Sequence, residues 1–192
     1  MVLRKSRIVL KIIGEMGKLY FVRHGETVWN AENKICGATD SPLTQLGLEQ
    51  ARDLGKAAVE QGIQADLILY SPLSRAKDTA QQIAEMTGTP MHAEPRLVEQ
   101  NFGRYEGTPR NSEEFQLARQ QFALGYGGET SLRLAQRIYN LLDELTADPE
   151  HVYMLVAHNG IARCVNTYFF EMTNEEYAYF RLKNCEIRRY DF

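Results

Sequence analysis

The chain is poor in the residues that build disulfide frameworks and metal sites. Its 192 residues include 3 cysteines, Cys36, Cys164 and Cys185, which lack the paired spacing of a disulfide or zinc framework. The 4 histidines contain no H-x-x-x-H pattern, which leaves a metal site without support. An odd and sparse cysteine count is typical of a reducing compartment, so we expect a cytoplasmic protein. Because the cysteines and histidines lack the spacing of metal ligands, we expect no metal cofactor.

Excess positive charge is also lacking. The 22 lysines and arginines are outnumbered by 25 acidic residues, giving a formal net charge of -3, which opposes nonspecific binding to nucleic acid or acidic membranes. The apolar group at residues 8–10 is too short for a secretory signal, and no A-x-A cleavage site follows it. We therefore predict no nucleic-acid or membrane partner. Any attraction for an anion must come from a local cationic pocket.

No linker, low-complexity tract or internal repeat interrupts the sequence, which predicts a single domain. Hydrophobic residues make up 44% of the chain, enough for a sizeable core. Strand-like apolar runs alternate with amphipathic segments over residues 45–60, 75–86 and 131–145, and a last strand is predicted over residues 186–190. This alternation predicts an α/β fold in which a mostly parallel sheet lies between two layers of helices.

An arginine and a histidine stand where an apolar strand meets a glycine turn, in the run Arg23-His24-Gly25-Glu26-Thr27. A histidine attacks phosphorus only through a neutral ring nitrogen, and an adjacent guanidinium both disfavours the imidazolium and attracts a phosphate dianion. Arg23 and His24 suit these two roles. By itself the dipeptide more often just ends a strand, so further residues are needed to support a site.

Two later strand ends carry residues of the same types. Residues 66–70 form a second predicted strand, after which Ser71-Pro72 is expected to supply the cap and first residue of a helix. Arg75 then lies in the first helical turn, where the helix dipole disfavours a cation unless an anion binds nearby. A third strand, over residues 152–157, runs into His158. Because ligands of open parallel sheets bind at the carboxyl ends of strands, we expect these side chains to converge.

Together, these blocks resemble the histidine phosphatase superfamily, also called phosphoglycerate mutase-like. The match extends from about residue 18 to the end of the chain, and its landmarks occur in the family's order. They are Arg23-His24-Gly25-Glu26-Thr27, Gly37, Asp40-Ser41-Pro42-Leu43-Thr44, Ser71-Pro72-Leu73-Ser74-Arg75-Ala76, Glu99, Phe102-Gly103, Glu106-Gly107, Gly128-Glu129-Thr130 and Ala157-His158-Asn159-Gly160. The resemblance implies the family's three-layer α/β/α sandwich and its phosphatase branch.

The resemblance also implies a phosphohistidine mechanism. His24 would be the nucleophile that accepts the phosphoryl group, and Arg23, Arg75 and His158 would hold its equatorial oxygens. Such preorganised donors meet the negative charge of the transition state, which is how proteins usually catalyse phosphoryl transfer. Since guanidiniums make charge-assisted hydrogen bonds to these oxygens, no metal or other cofactor is required.

Four further site residues follow from the same resemblance. Glu99 would protonate the leaving oxygen and then activate a water molecule, a contribution on the order of 10²–10⁴ in rate. Asn30, Gly37 and Asn159 would contact the substrate. On sequence alone Glu99 is a solvated loop carboxylate, and only its place in the order of blocks assigns it a catalytic role.

Three functions are weighed. The leading one is a metal-independent phosphomonoesterase of the histidine acid phosphatase type that hydrolyses a small phosphorylated metabolite. A phosphomutase must also grip a second phosphate, which in the family requires a longer basic insertion, whereas the connection from Glu99 to Gly128 holds only Arg104, Arg110 and Arg119. A noncatalytic phospholigand-binding domain is the third, since fold alone does not imply activity. The oligomeric state is not readable from the sequence.

Two segments outside the motifs also yield expectations. Because the family's first strand normally begins close to the initiator methionine, residues 1–16 are expected to be a disordered extension of a domain over residues 17–192. Tyr105, Phe115, Phe122 and Tyr126 are expected to line one side of the pocket and favour a leaving group with an apolar or ring-bearing part, with ordinary helix packing an equal alternative for Phe115 and Phe122.

Overall fold

The apolar runs of the sequence form the centre of a five-stranded sheet, ordered β3-β2-β4-β1-β5. A computed structural model of the chain describes residues 17–192. The strands are β1 (Lys18–Arg23), β2 (Leu67–Tyr70), β3 (Met91–Ala93), β4 (Tyr153–Ala157) and β5 (Ile187–Asp191). Only β5 runs antiparallel to its neighbour, β1. The predicted mostly parallel sheet is therefore confirmed, and β3 is an added edge strand too short to show a period.

Helices separate the strands, as the alternating pattern predicts. They are α1 (Val28–Ala31), α2 (Gln45–Glu60), α3 (Ser74–Thr87), α4 (Glu113–Ala118), α5 (Ser131–Thr146), α6 (Asn159–Phe169) and α7 (Asn174–Tyr179). Short 3-10 segments lie at Pro95–Leu97 and Gly103–Tyr105. The three long predicted helices agree with α2, α3 and α5 to within one residue at each end. None of the described helices is both long enough and apolar enough to cross a membrane.

Alternation along the buried strands divides the core into two layers. Leu19 and Phe21 of β1 pack with α5 and α6 on one face of the sheet, whereas Tyr20 and Val22 pack with α2 and α3 on the other. Successive strand residues point to opposite faces, so a strand buried on both sides reads as a continuous apolar run. The predicted fold class, helices on both faces of the sheet, is confirmed.

The start of α3 differs from the prediction. The helix begins at Ser74, not at Pro72, and its N-cap residue Leu73 makes no side-chain capping bond. The Ser71 hydroxyl is already engaged by the His158 ring at 2.8 Å. The carboxylate of Asp40 caps the helix instead, accepting hydrogen bonds from the Ser74 backbone N–H at 3.1 Å and from its hydroxyl at 3.0 Å. A tertiary contact thus displaces the local capping choice.

The register of the parallel strands brings distant residues to one edge. Arg23, the last residue of β1, lies opposite Ala157, the last residue of β4. Tyr70, which ends β2, lies opposite Val156. Residues that follow these three strands therefore emerge side by side. The expected disordered extension over residues 1–16 lies outside the described residues, and the single domain over 17–192 stays a prediction.

A close backbone approach fixes the loop after β1 against α2. A Cβ atom on Gly47, in the first turn of α2, would collide with the carbonyl oxygen of Glu26, and one on Gly25 would collide with the carbonyl oxygen of Gly47. The Thr44 hydroxyl also accepts a hydrogen bond from the Gly47 N–H at 3.0 Å. Only glycine at both positions allows the loop that carries His24 to pack directly on the helix.

We predict that Gly47→Ala destabilises the protein by about 1–3 kcal/mol, the usual cost of overpacking. Helix propensity alone would favour alanine by about 1 kcal/mol, so the sign of the change identifies the backbone contact as the dominant effect. Urea unfolding measures it. Glu49→Ala, on the exposed face of the same helix, should change the free energy of unfolding by less than about 0.5 kcal/mol. A stabilised Gly47→Ala protein would contradict the prediction.

Candidate active site

His24 follows β1 at the carboxyl edge of the sheet and is nearly buried. Its Nδ1 atom lies 2.7 Å from the carbonyl oxygen of Gly25. A carbonyl oxygen can only accept, so the proton of the neutral ring is on Nδ1. Nε2 then carries a lone pair, and no hydrogen bond from residues 17–192 engages it. The ring therefore presents an unprotonated nitrogen, the form in which an imidazole is nucleophilic.

The surroundings keep this ring neutral. Burial lowers the pKa of His24 well below its ordinary value of 6.5, and the positive charges of Arg75 and then Arg23 lower it further. The hydrogen bond with the Gly25 carbonyl acts in the opposite direction but is outweighed. Desolvation and nearby cations both disfavour the imidazolium. The two effects predicted from the Arg-His sequence thus act together on His24.

His158, which follows β4, lies beside His24 with the ring centroids 5.1 Å apart. The Arg75 Nε–H donates to its Nδ1 at 3.2 Å. Its Nε2–H must therefore donate to the Ser71 hydroxyl, 2.8 Å away. Burial and the charge of Arg75 lower the pKa of His158 well below 6.5. Because both ring nitrogens are occupied here, the predicted contact of His158 with a phosphate oxygen stays a prediction.

Arg75 joins α3 to the loop after α1 and is fully buried, with 0% of its surface exposed. Besides His158, it donates to the carbonyl oxygens of Gly37 at 2.7 Å and Thr39 at 3.1 Å. Asp40 lies 3.5 Å from the same guanidinium. Gly37, predicted as a substrate contact, thus directs its carbonyl to Arg75. Arg75 lies in the first turn of its helix, as predicted, and Asp40 supplies negative charge there.

Arg23 is held at the end of β1 with part of its donor capacity free. Its Nη1 donates to the Leu182 carbonyl at 2.8 Å, while its Nε is buried without a hydrogen-bond partner among the described residues. Burial and then the charge of Arg110 lower the pKa of Arg23 to about 10. The side chain is still cationic at pH 7. Because an unpaired buried donor costs free energy, an acceptor anion here would be stabilised.

Glu99 lies at the same edge, although it was assigned only by the order of motifs. Its two carboxylate oxygens accept from the backbone N–H groups of Gln100 at 2.8 Å and Gly160 at 2.9 Å. A Cβ at position 160 would strike this carboxylate, so the glycine after His158-Asn159 allows the approach. The side chain is 5% exposed and shares a cavity with His24. The structure thus places Glu99 in the wall of the cavity that His24 also lines, and its role as proton donor stays a prediction.

Asn30 and Asn159 line the same cavity but are occupied by local contacts. The Asn30 side-chain oxygen accepts from the Thr27 N–H at 3.3 Å, which completes the capping box of α1. Asn159 exchanges two hydrogen bonds with the backbone of Leu182. Asn184, which the sequence analysis missed, bonds both the His24 carbonyl and the Asn30 side chain. The predicted substrate contacts of Asn30 and Asn159 stay predictions.

Three residues that sequence reasoning missed hold site residues in place through hydrogen bonds. Ser71 fixes the His158 ring, Asp40 caps α3 beside Arg75, and Glu106 accepts from four backbone N–H groups. The Glu106 donors are Gly37, Ala38, Thr39 and Phe102. Asp40 and Glu106 both stand in family-like blocks, which was the available signal. Only the tertiary structure assigns their partners.

A cavity of about 910 Å³ opens beside His24 and Arg23. Aromatic side chains form part of its wall, and all four aromatic residues predicted for the pocket line it: Tyr105, Phe115, Phe122 and Tyr126. Tyr105 also packs on Phe115 and Tyr126, with ring centroids 5.5 and 5.2 Å apart, whereas Phe122 packs on Tyr177 at 6.1 Å. Both predicted alternatives, lining of the pocket and ordinary side-chain packing, are therefore observed together. Within residues 17–192, no three His, Cys, Asp or Glu side chains are grouped to hold a metal ion. The other two histidines, His92 and His151, are exposed.

Comparison with known proteins agrees with the motifs. A family model described as "Histidine phosphatase superfamily (branch 1)" matches residues 19–192. Among curated proteins, the "Probable phosphoglycerate mutase GpmB" of Yersinia pestis (strain Pestoides F) is 36% identical over 188 residues, which cover 92% of this chain and 86% of that protein.

Solved structures with the same fold include two phosphatases. A mycobacterial glucosyl-3-phosphoglycerate phosphatase has a TM-score of 0.77 and 27% identity, covering 91% of this chain and 89% of that one. A putative alpha-ribazole-5'-P phosphatase from Escherichia coli has a TM-score of 0.78 and 26% identity, covering 91% and 90%. The chain thus resembles both phosphatases and a mutase-like protein over nearly its whole length.

The depressed pKa values predict that stability falls as the solution is acidified. Below pH 6.5 the unfolded chain binds protons at both imidazoles while the folded protein keeps His24 and His158 neutral. The free energy of unfolding is therefore at its full value above this pH and is lost below it, by about 1.4 kcal/mol per pH unit for each ring. Urea unfolding at pH 7.5 and 5.5 measures the slope.

Carboxylates also contribute to the pH dependence of the free energy of unfolding, and substitution of single histidines separates the contribution of the two rings from theirs. His24→Gln should reduce the pH slope by about one ring's share, whereas His92→Gln, at an exposed position, should leave it unchanged. Equal slopes for wild type and His24→Gln would show that His24 is not held neutral.

Proposed function

Because the chain belongs to the histidine phosphatase superfamily, we propose that it is a metal-independent phosphomonoesterase that hydrolyses a small phosphorylated metabolite through a phosphohistidine on His24. One observation carries the proposal. An imidazole with a free, unprotonated Nε2 lies among Arg23, Arg75 and His158, and these four residues come from three parallel strand ends. Such a cluster suits a tetrahedral dianion attacked by a neutral nucleophile.

In the first step, His24 Nε2 forms a bond to phosphorus while the bond from phosphorus to the ester oxygen breaks. Glu99, in its protonated form, gives its proton to the departing oxygen, so the alcohol leaves neutral. In the second step, the Glu99 carboxylate takes a proton from water, whose oxygen attacks phosphorus. The bond to Nε2 breaks, inorganic phosphate is released, and His24 returns to its original form.

The cations act on the charge of the transferred group. Arg23 has an Nε–H without a hydrogen-bond partner among residues 17–192, and Arg75 is held in place by backbone carbonyls. His158 donates its Nε2 proton to Ser71 in the absence of substrate and to a phosphoryl oxygen when substrate is bound. The two guanidiniums are fixed by backbone carbonyls before the reaction, so little reorganisation of these donors opposes the transition state. Such donors also supply the charge that a metal ion supplies in other phosphotransferases.

A phosphomutase is the second candidate, favoured by the likeness to a protein named as a probable phosphoglycerate mutase. It would share the nucleophile but would return the phosphoryl group to a second substrate hydroxyl instead of to water. The short connection between Glu99 and Gly128 and the likeness to two phosphatase structures support hydrolysis. The cellular location proposed from the cysteine content is the cytoplasm.

The function is tested with p-nitrophenyl phosphate, with and without a chelator. Wild-type protein should release phosphate equally well in both conditions, and His24→Ala should lower kcat by at least about 10³-fold because the nucleophile is gone. His92→Ala, with an exposed ring removed, is the matched control. Full activity of His24→Ala would rule out the mechanism. Interconversion of phosphoglycerates without phosphate release would favour the mutase.

The role of Glu99 predicts a dependence on the leaving group. Glu99→Gln should lower kcat on an alkyl phosphate by about 10²–10⁴-fold, since an alkoxide needs a proton to leave. The same variant should act on p-nitrophenyl phosphate with a much smaller loss in the first step, because nitrophenolate leaves unprotonated. Release of the alcohol and of nitrophenolate in a single turnover, before phosphate is released, measures the contrast in the first step. Glu175→Gln, an exposed carboxylate of the same cavity, is the control, and equal losses on both esters would refute the assignment.

A further inference from the structure

The Gly128-Glu129-Thr130 block takes no part in the reaction steps described above, yet each of its residues has a partner in the fold. A Cβ atom on Gly128 would collide with the carbonyl oxygen of Asn101, so the glycine lets this loop pack directly on the segment that follows the proposed proton donor. The Thr130 side chain caps α5. Glu129 pairs with Arg137, further along the same helix. The block therefore joins α5 to the segment around the proton donor.

Glu129 and Arg137 form a bidentate ion pair. Nε and Nη2 of the guanidinium each donate to one oxygen of the carboxylate at 2.8 Å. The two side chains are only 22% and 20% exposed. A planar guanidinium that binds both oxygens of a carboxylate fixes the orientation of the two groups, which a single contact at the surface does not. The pair is thus a rigid anchor.

The same guanidinium holds the segment that leads into Glu99. Arg137 Nη2 also donates to the Val98 carbonyl oxygen at 2.6 Å, and its Nη1 donates to the carbonyl oxygen of Arg96. Together with the two bonds to the carboxylate, these contacts use most of the five N–H groups of an arginine. The carbonyl of the residue directly before Glu99 is therefore attached to the ion pair.

The backbone of Glu129 holds the segment that follows Glu99. Its N–H donates to the Asn101 carbonyl oxygen at 2.8 Å, and its carbonyl oxygen accepts from the side-chain amide of Gln100 at 3.0 Å. Glu99 itself lies between two 3-10 segments and not in a helix or strand. Its position is therefore set by contacts with Glu129 and Arg137 on both sides of it and not by a ladder of regular structure.

The carboxylate of Glu99 depends on the position of this segment. It accepts from the backbone N–H groups of Gln100 at 2.8 Å and Gly160 at 2.9 Å. The Gly160 N–H lies in the first turn of α6, where the helix itself offers no carbonyl partner. A proton donor must lie within hydrogen-bond reach of the departing oxygen, and a displacement of about 1 Å can cost about 10²-fold in rate.

We propose that Arg137 is a positioning residue for Glu99 and acts through its ion pair with Glu129. The proposal rests on the proposed function, in which Glu99 protonates the leaving oxygen. Arg137 does not line the cavity that contains His24, so its effect on the reaction is carried by the segment that it holds and not by contact with the substrate. The Gly128-Glu129-Thr130 block then serves the proton transfer, because it places the ion pair.

A comparison of two leaving groups tests the proposal. Ethyl phosphate and p-nitrophenyl phosphate are each cleaved in a single turnover with enzyme in excess, and release of ethanol or nitrophenolate is followed. Arg137→Gln should slow ethanol release by about 10–10²-fold but nitrophenolate release by less than about threefold, since nitrophenolate leaves without a proton. Partial unfolding would lower both rates by the same factor. The ratio of the two rates therefore reports proton transfer and not stability.

Two further variants separate the geometry of the guanidinium from its charge. Arg137→Lys keeps the charge, but an ammonium cannot bind the carboxylate and both carbonyls in one plane, so the ratio should still fall by at least about fivefold. Arg96→Gln is the matched control, because it loses ion pairs with Glu94 and Glu144 but keeps the carbonyl that Arg137 binds. It should leave the ratio within about twofold. Wild-type ratios in both Arg137 variants, beside a large contrast in Glu99→Gln, would overturn the proposal.

Hydrogen exchange distinguishes failure of this proposal from failure of the proposed function. In Arg137→Lys the Gly160 N–H should exchange with D2O at least about tenfold faster than in wild type, approaching its rate in Glu99→Ala. The Ala162 N–H, which donates to the His158 carbonyl oxygen at 2.9 Å in the same helix, should be unaffected. If Glu99→Gln shows no contrast between the esters, faster Gly160 exchange would show that Arg137 positions Glu99 although Glu99 is not the proton donor. Unchanged Gly160 exchange would reject the positioning role whatever the activities.

Discussion

The buried guanidinium of Arg75 is the contact on which the site depends most. It links the first turn of α3 to the ring that follows β4 and to the carbonyls of the loop at Gly37 and Thr39. Because its Nε–H can only donate, it also fixes the tautomer of His158 and, through that ring, the hydrogen bond with Ser71. Removing one partner from a buried set of this kind leaves several groups unsatisfied at once. Its charge further keeps His24 neutral.

The protein separates its global charge from its local charge. A net charge of -3 coexists with a cavity lined by Arg110, Arg119, Arg163 and Arg181, none of which forms an ion pair within residues 17–192. Other glutamates are engaged in structural contacts: Glu106 accepts a hydrogen bond from the Gly37 N–H, and Glu129 forms an ion pair with Arg137. The cationic field is thus concentrated where low-dielectric walls preserve its strength. Phosphate attraction does not require a basic protein.

The sequence predicted the fold well where the local pattern agreed with the final environment. The helix over 45–60 was located without error because its amphipathic period is strong and Thr44 supplies a side-chain cap. Prediction failed where a distant residue changed a local choice. Ser71 bonds a ring 87 positions away instead of capping α3, and the cap comes from Asp40, 34 positions before it.

The convergence of His24, Arg23, Arg75 and His158 could be predicted from the sequence because each follows a strand end within a recognisable block. The cationic character of the rest of the cavity could not. Counting arginines between Glu99 and Gly128 indicated a weakly basic connection, but α6 and the segment after α7 add Arg163 and Arg181 to the same space. The number of arginines that line the cavity is set by several separate elements, so it can be counted only in the folded structure.

The loop at residues 182–185 has a consequence for when the protein becomes competent during its synthesis. Arg23 and His24 are made early, yet the Leu182 carbonyl that holds one and the Asn184 amide that holds the backbone of the other lie 159 and 160 positions later. The Cys185 backbone, with a φ of 56° that is unusual for a side-chain-bearing residue, also bonds Arg23. A nascent chain therefore contains Arg23 and His24 long before it contains the residues that hold them, so the candidate site is complete only after the segment that leads into the last strand has been made.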